Sequence, residues 1–175
     1  ALFNQAYIVL SEDLKKEPVQ ELLVRKIRSF NEFSKAVDRM IAGEYLDTEL
    51  ENKQIEKELL KYIHENKTGA LLKLSVRMGA ILAGASEEDL EKLSCFADKI
   101  GLAFQIKDDI LSEEGDEKIT GKPVGNDREL NKCTYVSFYG LDGAKKELTK
   151  IINEALELLN EYGDKAEFLR GLTIY

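Results

Sequence analysis

Two neighbouring carboxylates, Asp108 and Asp109, close the run Phe104-Gln105-Ile106-Lys107-Asp108-Asp109. On a helix Gln105 and Asp109 lie one turn apart, with Ser112 three residues further on, so these polar groups share a stripe. Ser112 is also one turn from Asp108. Adjacent aspartates inside a helix are unfavourable twice over. Asp is a mediocre helix former, and like charges about 4 Å apart repel by roughly 4 kcal/mol at an effective dielectric of about 20. Mg2+ removes that repulsion, because this hard cation takes one or two carboxylates and fills its remaining positions with phosphate oxygens. A solvated acidic helix end would show the same spacing.

A second group is Gly121-Lys122-Pro123-Val124-Gly125-Asn126-Asp127, followed by Asn131-Lys132. Glycines allow a backbone to approach a phosphate closely, and lysines supply point charges to an oxyanion. The segment is not a P-loop, since Pro123 stands where Ser or Thr is required. A charged, solvated turn is the other reading. The third group is Lys67-Thr68-Gly69, where weak helix formers interrupt a helical run. A kink there frees backbone groups and can aim Lys67 inward; an ordinary kink would leave it in water.

Other chemistries are excluded. His64 is the single histidine and lacks a second His four residues on, so no zinc-protease helix is present. The acidic residues around Asp116 lack EF-hand spacing. Nothing directs Cys95 or Cys133 toward His64, so no Cys-His or Ser-His-Asp arrangement can be built. The two cysteines are read as buried or idle thiols of a reducing cytosol. Asn66-Lys67-Thr68 matches a glycosylation sequon by chance.

The elements that must position these groups are helical. The 175 residues carry 25 Lys plus Arg against 33 Asp plus Glu, a net charge of −8, which speaks against a nucleic-acid partner. A hydrophobic share of 43% is enough for a core and excludes disorder. The sequence shows neither a membrane-spanning run nor an export signal, so a cytoplasmic location is expected. Beyond Pro18 an apolar stripe runs through Val19, Leu22, Leu23, Ile27, Phe30, Phe33, Val37, Met40 and Ile41. A second covers Leu59, Tyr62 and Ile63, then Leu71 to Leu82, with its interruption at 66–69. Ser86 reads as an N-cap backed by Glu87, Glu88 and Asp89. The stripe beyond it is Leu90, Leu93, Ala97, Ile100, Phe104 and Leu111. Residues 113–131 read as a loop. Helical spacing resumes after Gly140-Leu141-Asp142, and Gly163-Asp164 ends one helix and opens another. With no alternating strand, the fold class is all-α, a single helical domain over 1–175.

In this order and spacing the groups resemble the polyprenyl synthetase family, the trans-isoprenyl diphosphate synthases. Gly101 to Leu111 resembles the family's second aspartate-rich helix, and 121–127 with 131–135 resembles the loop after it. His64 to Gly69 with Gly79 to Ala85 resembles its Lys-Thr-Gly helix; the nearest flavour is bacterial farnesyl diphosphate synthase, a geranyltranstransferase. The resemblance implies an orthogonal-type helical bundle, a homodimer and a Mg2+-dependent prenyltransferase that joins an allylic diphosphate to isopentenyl diphosphate. It further implies that Asp108 and Asp109 hold Mg2+, and that Lys67, Lys122 and Lys132 contact the allylic diphosphate. Thr68 and Gln105 would present oxygens to the allylic cation.

Three departures stand against this pattern. Ser112 replaces a further aspartate of the second motif. Ala42-Gly43-Glu44 stands where the family has Gly-Gly-Gln, so Glu44 brings a charge in place of a neutral amide. The first aspartate-rich motif and the isopentenyl-binding residues would precede Ala1. A truncated C-terminal portion, inactive alone and self-associating through exposed apolar stripes, is therefore expected. A non-catalytic partner subunit and a plain helical interaction module are the alternatives.

Overall fold

Among the described residues, 2–114 and 133–175 of the computed structural model, every regular element is helical. Helices α1 (Leu2–Lys16), α2 (Gln20–Glu49) and α3 (Lys57–His64) come first. A π-turn, Glu65–Gly69, then runs unbroken into α4 (Ala70–Ala83), followed by α5 (Glu87–Glu114). Helix α6 (Tyr135–Leu158), a 3-10 segment (Asn160–Ala166) and α7 (Glu167–Ile174) complete the chain. The all-α reading holds. Of the loop expected at 113–131, Glu113 and Glu114 belong to α5, and the rest lies outside the described residues.

Local chemistry sets the boundaries. Pro18 stands two residues before α2 rather than in its first turn. The Glu17 carboxylate accepts the Val19 N–H at 3.0 Å and Val19 stays extended, which delays the helix to Gln20. Gly84, at φ 78°, closes α4; the N–H groups of Ala85 and Gly84 return to the carbonyls of Ala80 and Ile81. Ser86 caps α5 as expected, accepting the Asp89 N–H at 3.1 Å and donating its hydroxyl to the Asp89 carboxylate at 2.6 Å.

Helix α6 opens with a short stretch ahead of Gly140 that the spacing does not show. The Thr134 hydroxyl accepts the Ser137 N–H at 3.1 Å, and the Ser137 hydroxyl accepts the Thr134 N–H at 2.9 Å. This is a capping box with serine in the place usually held by Glu or Gln. Gly140, at φ 68° and ψ 166°, breaks the helical dihedrals within α6, and the longer helical stretch beyond it is the one expected after Gly140-Leu141-Asp142.

The central core lies between α3, α5 and α6 and contains Leu60, Ala103, Ile106, Ile110, Tyr135, Ala144 and Ile151. Full burial of a side chain such as Ile106 contributes about 1.5–3 kcal/mol. Phe33, Ala36, Val37 and Leu74 join α2 to α4, with Tyr7 of α1 edge-on to Phe33 at 4.8 Å. Phe96, Ala155, Leu159 and Ala166 hold the 3-10 segment to α5. Phe104 and Leu111 were expected on the buried stripe of α5 but are exposed. Beyond Gly101 the core face turns to Ala103, Ile106 and Ile110, because α6 now packs against that side.

The interruption at 66–69 is a π-turn held between two glycines. A Cβ on Gly43 of α2 would lie 2.2 Å from the backbone nitrogen of Lys67. A Cβ on Gly101 of α5 would lie 2.9 Å from the Cα of Gly69. Both separations are far inside van der Waals contact, so only glycine permits these crossings. We expect Gly43→Ala to destabilise the fold by about 1–3 kcal/mol or more in urea unfolding. Gly79→Ala on α4, where a Cβ meets nothing within 4 Å, should stabilise by about 0.5–1 kcal/mol. Equal effects at the two positions would contradict the crossing.

Candidate active site

The π-turn is fixed from inside by Asn66, which is 3% exposed. Its amide nitrogen donates to the Tyr62 carbonyl at 2.7 Å, and its amide oxygen accepts from Arg39 Nε of α2 at 2.8 Å. Burial and these two bonds rule out a glycosylation role. Lys67 then projects to α2, where its ammonium meets Asp47 at 2.6 Å and Glu44 at 3.3 Å. Burial opposes its charge, but the hydrogen bond and attraction of Asp47, with Glu44 behind it, outweigh that and hold the Lys67 pKa above the ordinary lysine value. Thr68 is half-buried beside it.

Helix α5 supplies the facing surface. Gly101, Gln105 and Asp109 recur every four residues and therefore share a face. Gly101 touches Gly69, and Asp109 lies 3.7 Å from His64 Nε2, so the two segments run antiparallel. Gln105 is half-buried and lies on α5 midway between those two contacts.

The two aspartates separate. Asp108 is exposed on the outer side of α5, while Asp109 is buried. Asp109 Oδ2 accepts the Tyr135 N–H, the first of α6, at 2.7 Å. The His64 ring, whose two nitrogens have no hydrogen-bond partner, stacks on Tyr135 at 5.8 Å and 21°. Tyr135 stacks in turn on Tyr139 at 5.7 Å, and the Lys57 ammonium sits 4.3 Å above the Tyr139 ring. Burial, then Glu147, Glu65 and Asp109, pushes the Tyr135 phenol up to about 12, so it stays protonated.

Ser112 and Glu113 are half-buried; Lys122, Lys132 and Asp116 lie outside the described residues. Among the described residues no group of three or more His, Cys, Asp or Glu converges on one point. The exposed Asp108 carboxylate nonetheless fits Mg2+, a hard cation that keeps water and phosphate oxygens around one or two carboxylates. Cys95 is exposed rather than buried, and the half-buried Cys133 thiol approaches the Lys53 carbonyl at 3.6 Å. Sequence spacing missed Arg39, Asn66, His64 and Tyr135. Only Asn66 and His64 carried a signal, as polar residues inside an otherwise apolar helical run.

An all-helical fold with its π-turn packed between α2 and α5 is of the all-α isoprenoid-synthase class. The polyprenyl synthetase family model matches residues 1–170, and the chain belongs to that family. It is 41% identical over 160 residues to farnesyl diphosphate synthase of Bacillus subtilis, covering 90% of this chain and 53% of that protein. It is 35% identical to geranylgeranyl diphosphate synthase of Cyanophora paradoxa, covering 95% and 55%. A solved geranyltransferase from Helicobacter pylori, complexed with magnesium and isoprenyl diphosphate, superposes with a TM-score of 0.75 at 28% identity. That match covers 91% of this chain and 52% of the other. The chain thus spans about half the length of the curated relatives it matches. No helix among the described residues is long and apolar enough to cross a membrane.

The Lys67 pair has a defined pH signature. Because its folded pKa is raised, its stabilisation is complete below the unfolded lysine value and is lost as pH rises through the folded one. The stability difference between wild type and Lys67→Met, followed by urea unfolding, should stay flat up to about pH 10 and shrink above it. A difference already falling between about pH 6 and 8 would contradict the pairing.

Proposed function

We propose that the chain is a single helical domain of a Mg2+-dependent prenyltransferase joining an allylic diphosphate to isopentenyl diphosphate, with farnesyl diphosphate as product. The observation that carries this reading is the antiparallel apposition of the π-turn, which holds Lys67 and Thr68, and the face of α5 that holds Gly101, Gln105 and Asp109. Family membership supports it, as does the magnesium and isoprenyl diphosphate bound in the Helicobacter pylori relative.

Each residue then has a role. Asp108, the exposed member of the aspartate pair, holds Mg2+. When bound, Mg2+ neutralises negative charge growing on the departing diphosphate. Lys67 shares that task by exchanging its carboxylate partners for diphosphate oxygens, joined by Lys122 and Lys132. The Thr68 and Gln105 oxygens face the positive charge left on the allyl group as its C–O bond breaks. The alkene of isopentenyl diphosphate attacks that carbon, and the proton lost afterwards goes to the departing diphosphate. No protein base is needed.

Helices α1 and α2 leave Phe3, Ile8, Val9, Val24, Ile27 and Ile41 exposed. We assign this apolar face to a second copy of the chain, giving a homodimer. A non-catalytic subunit is the second reading, and one observation favours it: Glu44 adds a carboxylate to the Lys67 that must receive diphosphate.

The test is product formation by the protein as its gene encodes it, with dimethylallyl or geranyl diphosphate, isopentenyl diphosphate and Mg2+. Condensation should stop with EDTA and fall by about 100-fold or more in Asp108→Asn. Glu44→Gln should lower KM for the allylic diphosphate and leave kcat in place. Activity indifferent to both EDTA and Asp108→Asn would reject the assignment. Product from Glu44→Gln alone would favour the non-catalytic reading of the native chain.

A further inference from the structure

Adjacent aspartates in a metal-binding helix invite the assumption that both ligate the cation, but the geometry divides them. Consecutive helical positions point about 100° apart. Asp108 faces out, while Asp109 is 7% exposed and bonded across to another helix.

The bond has a clear physical origin. The first N–H groups of a helix have no partner within it. In α6 the Thr134 hydroxyl serves Ser137, the third position, and leaves the N–H of Tyr135 without an acceptor from the cap. Tyr135 is 4% exposed, so water is a poor substitute. Asp109 reaches over from α5 and accepts that N–H at 2.7 Å, placing a carboxylate at the positive end of the α6 dipole. The His64 ring stacks on Tyr135 and stands 3.7 Å from the same carboxylate oxygen, so the contact is enclosed from the π-turn side as well. Swinging Asp109 out to a cation beside Asp108 would leave a buried N–H unsatisfied at the helix start.

We infer that Asp109 is a positioning residue and not a second metal ligand: it ties the start of α6 to α5 and so fixes the helical turn that presents Asp108. The inference rests on the proposed Mg2+ role of Asp108, but the tether itself does not.

Asp109→Asn keeps an oxygen able to accept the Tyr135 N–H and discards the charge, whereas Asp109→Ala discards both. Hydrogen exchange and Mg2+-dependent kinetics on the protein as its gene encodes it separate the possibilities. Asp109→Ala should speed exchange of the first-turn amides of α6 by about tenfold or more and lower kcat, while Asp108→Asn leaves those amides protected. Asp109→Asn should restore the protection and recover most of the lost kcat. Its Mg2+ half-saturation should stay near wild type, whereas Asp108→Asn shifts it by about 10- to 100-fold.

A Mg2+ shift in Asp109→Asn as large as that in Asp108→Asn, with α6 still protected, would overturn the inference by making Asp109 a ligand. Unchanged α6 exchange in Asp109→Ala would overturn it by removing the tether. An inactive wild-type protein in which Asp109→Ala still frees α6 would reject the functional reading and leave the tether standing.

Discussion

The site depends on how closely three stretches of backbone pass one another. Gly43 of α2 and Gly101 of α5 press on Lys67 and Gly69 from two sides, at separations that no side chain tolerates. A π-turn widens the helix by one residue and shifts the register of everything after it. Here that widening lets the Lys67 and Thr68 backbone lie between two helices while α4 continues as a regular helix into the α2–α4 core. Asn66 and Arg39 lock the turn from within. Steric constraint places the backbone; polar bonds choose its orientation.

The charges follow from that placement. Lys67 is half-buried and cannot rely on water, so it takes Asp47 and Glu44. An arriving diphosphate competes with both, which makes the resting ion pair the opposing term in substrate binding. On the opposite side, the first N–H of α6 draws in one aspartate of the α5 pair, while the other lies on the exposed side of the helix. Repulsion between adjacent carboxylates is thus relieved by divergence, without both sharing one cation. The net charge of −8 accords with a site whose anionic ligands arrive with a divalent cation.

Much of this was legible in the sequence because it rests on periodicity. The helices themselves, the Ser86 cap and the irregularity at 66–69 follow from residue spacing and local propensity, and the structure bears them out. Of the α2 stripe, however, Phe33 and Val37 are buried while Val19, Ile27 and Ile41 are exposed. The start of α6 was not legible. Its cap uses Ser137 where Glu or Gln is the usual mark, so only the second helical stretch, beyond Gly140, was legible from spacing. Burial of Phe104 and Leu111 was also misjudged, since the side of α5 that faces the core changes where α6 packs and one helix's pattern does not carry that information. The opposite fates of Asp108 and Asp109 depend on Tyr135, 26 residues further on. No local spacing encodes it.

In the proposed mechanism the π-turn lysine and the outward aspartate of α5 meet one diphosphate. A crystal structure of the protein with Mg2+ and an unreactive allylic thiolodiphosphate tests this most directly. Lys67 should sit on diphosphate oxygens, released from Asp47 and Glu44, with Mg2+ on Asp108 and with Asp109 still accepting the Tyr135 N–H. Diphosphate bound elsewhere, with Lys67 still held by both α2 carboxylates, would contradict it.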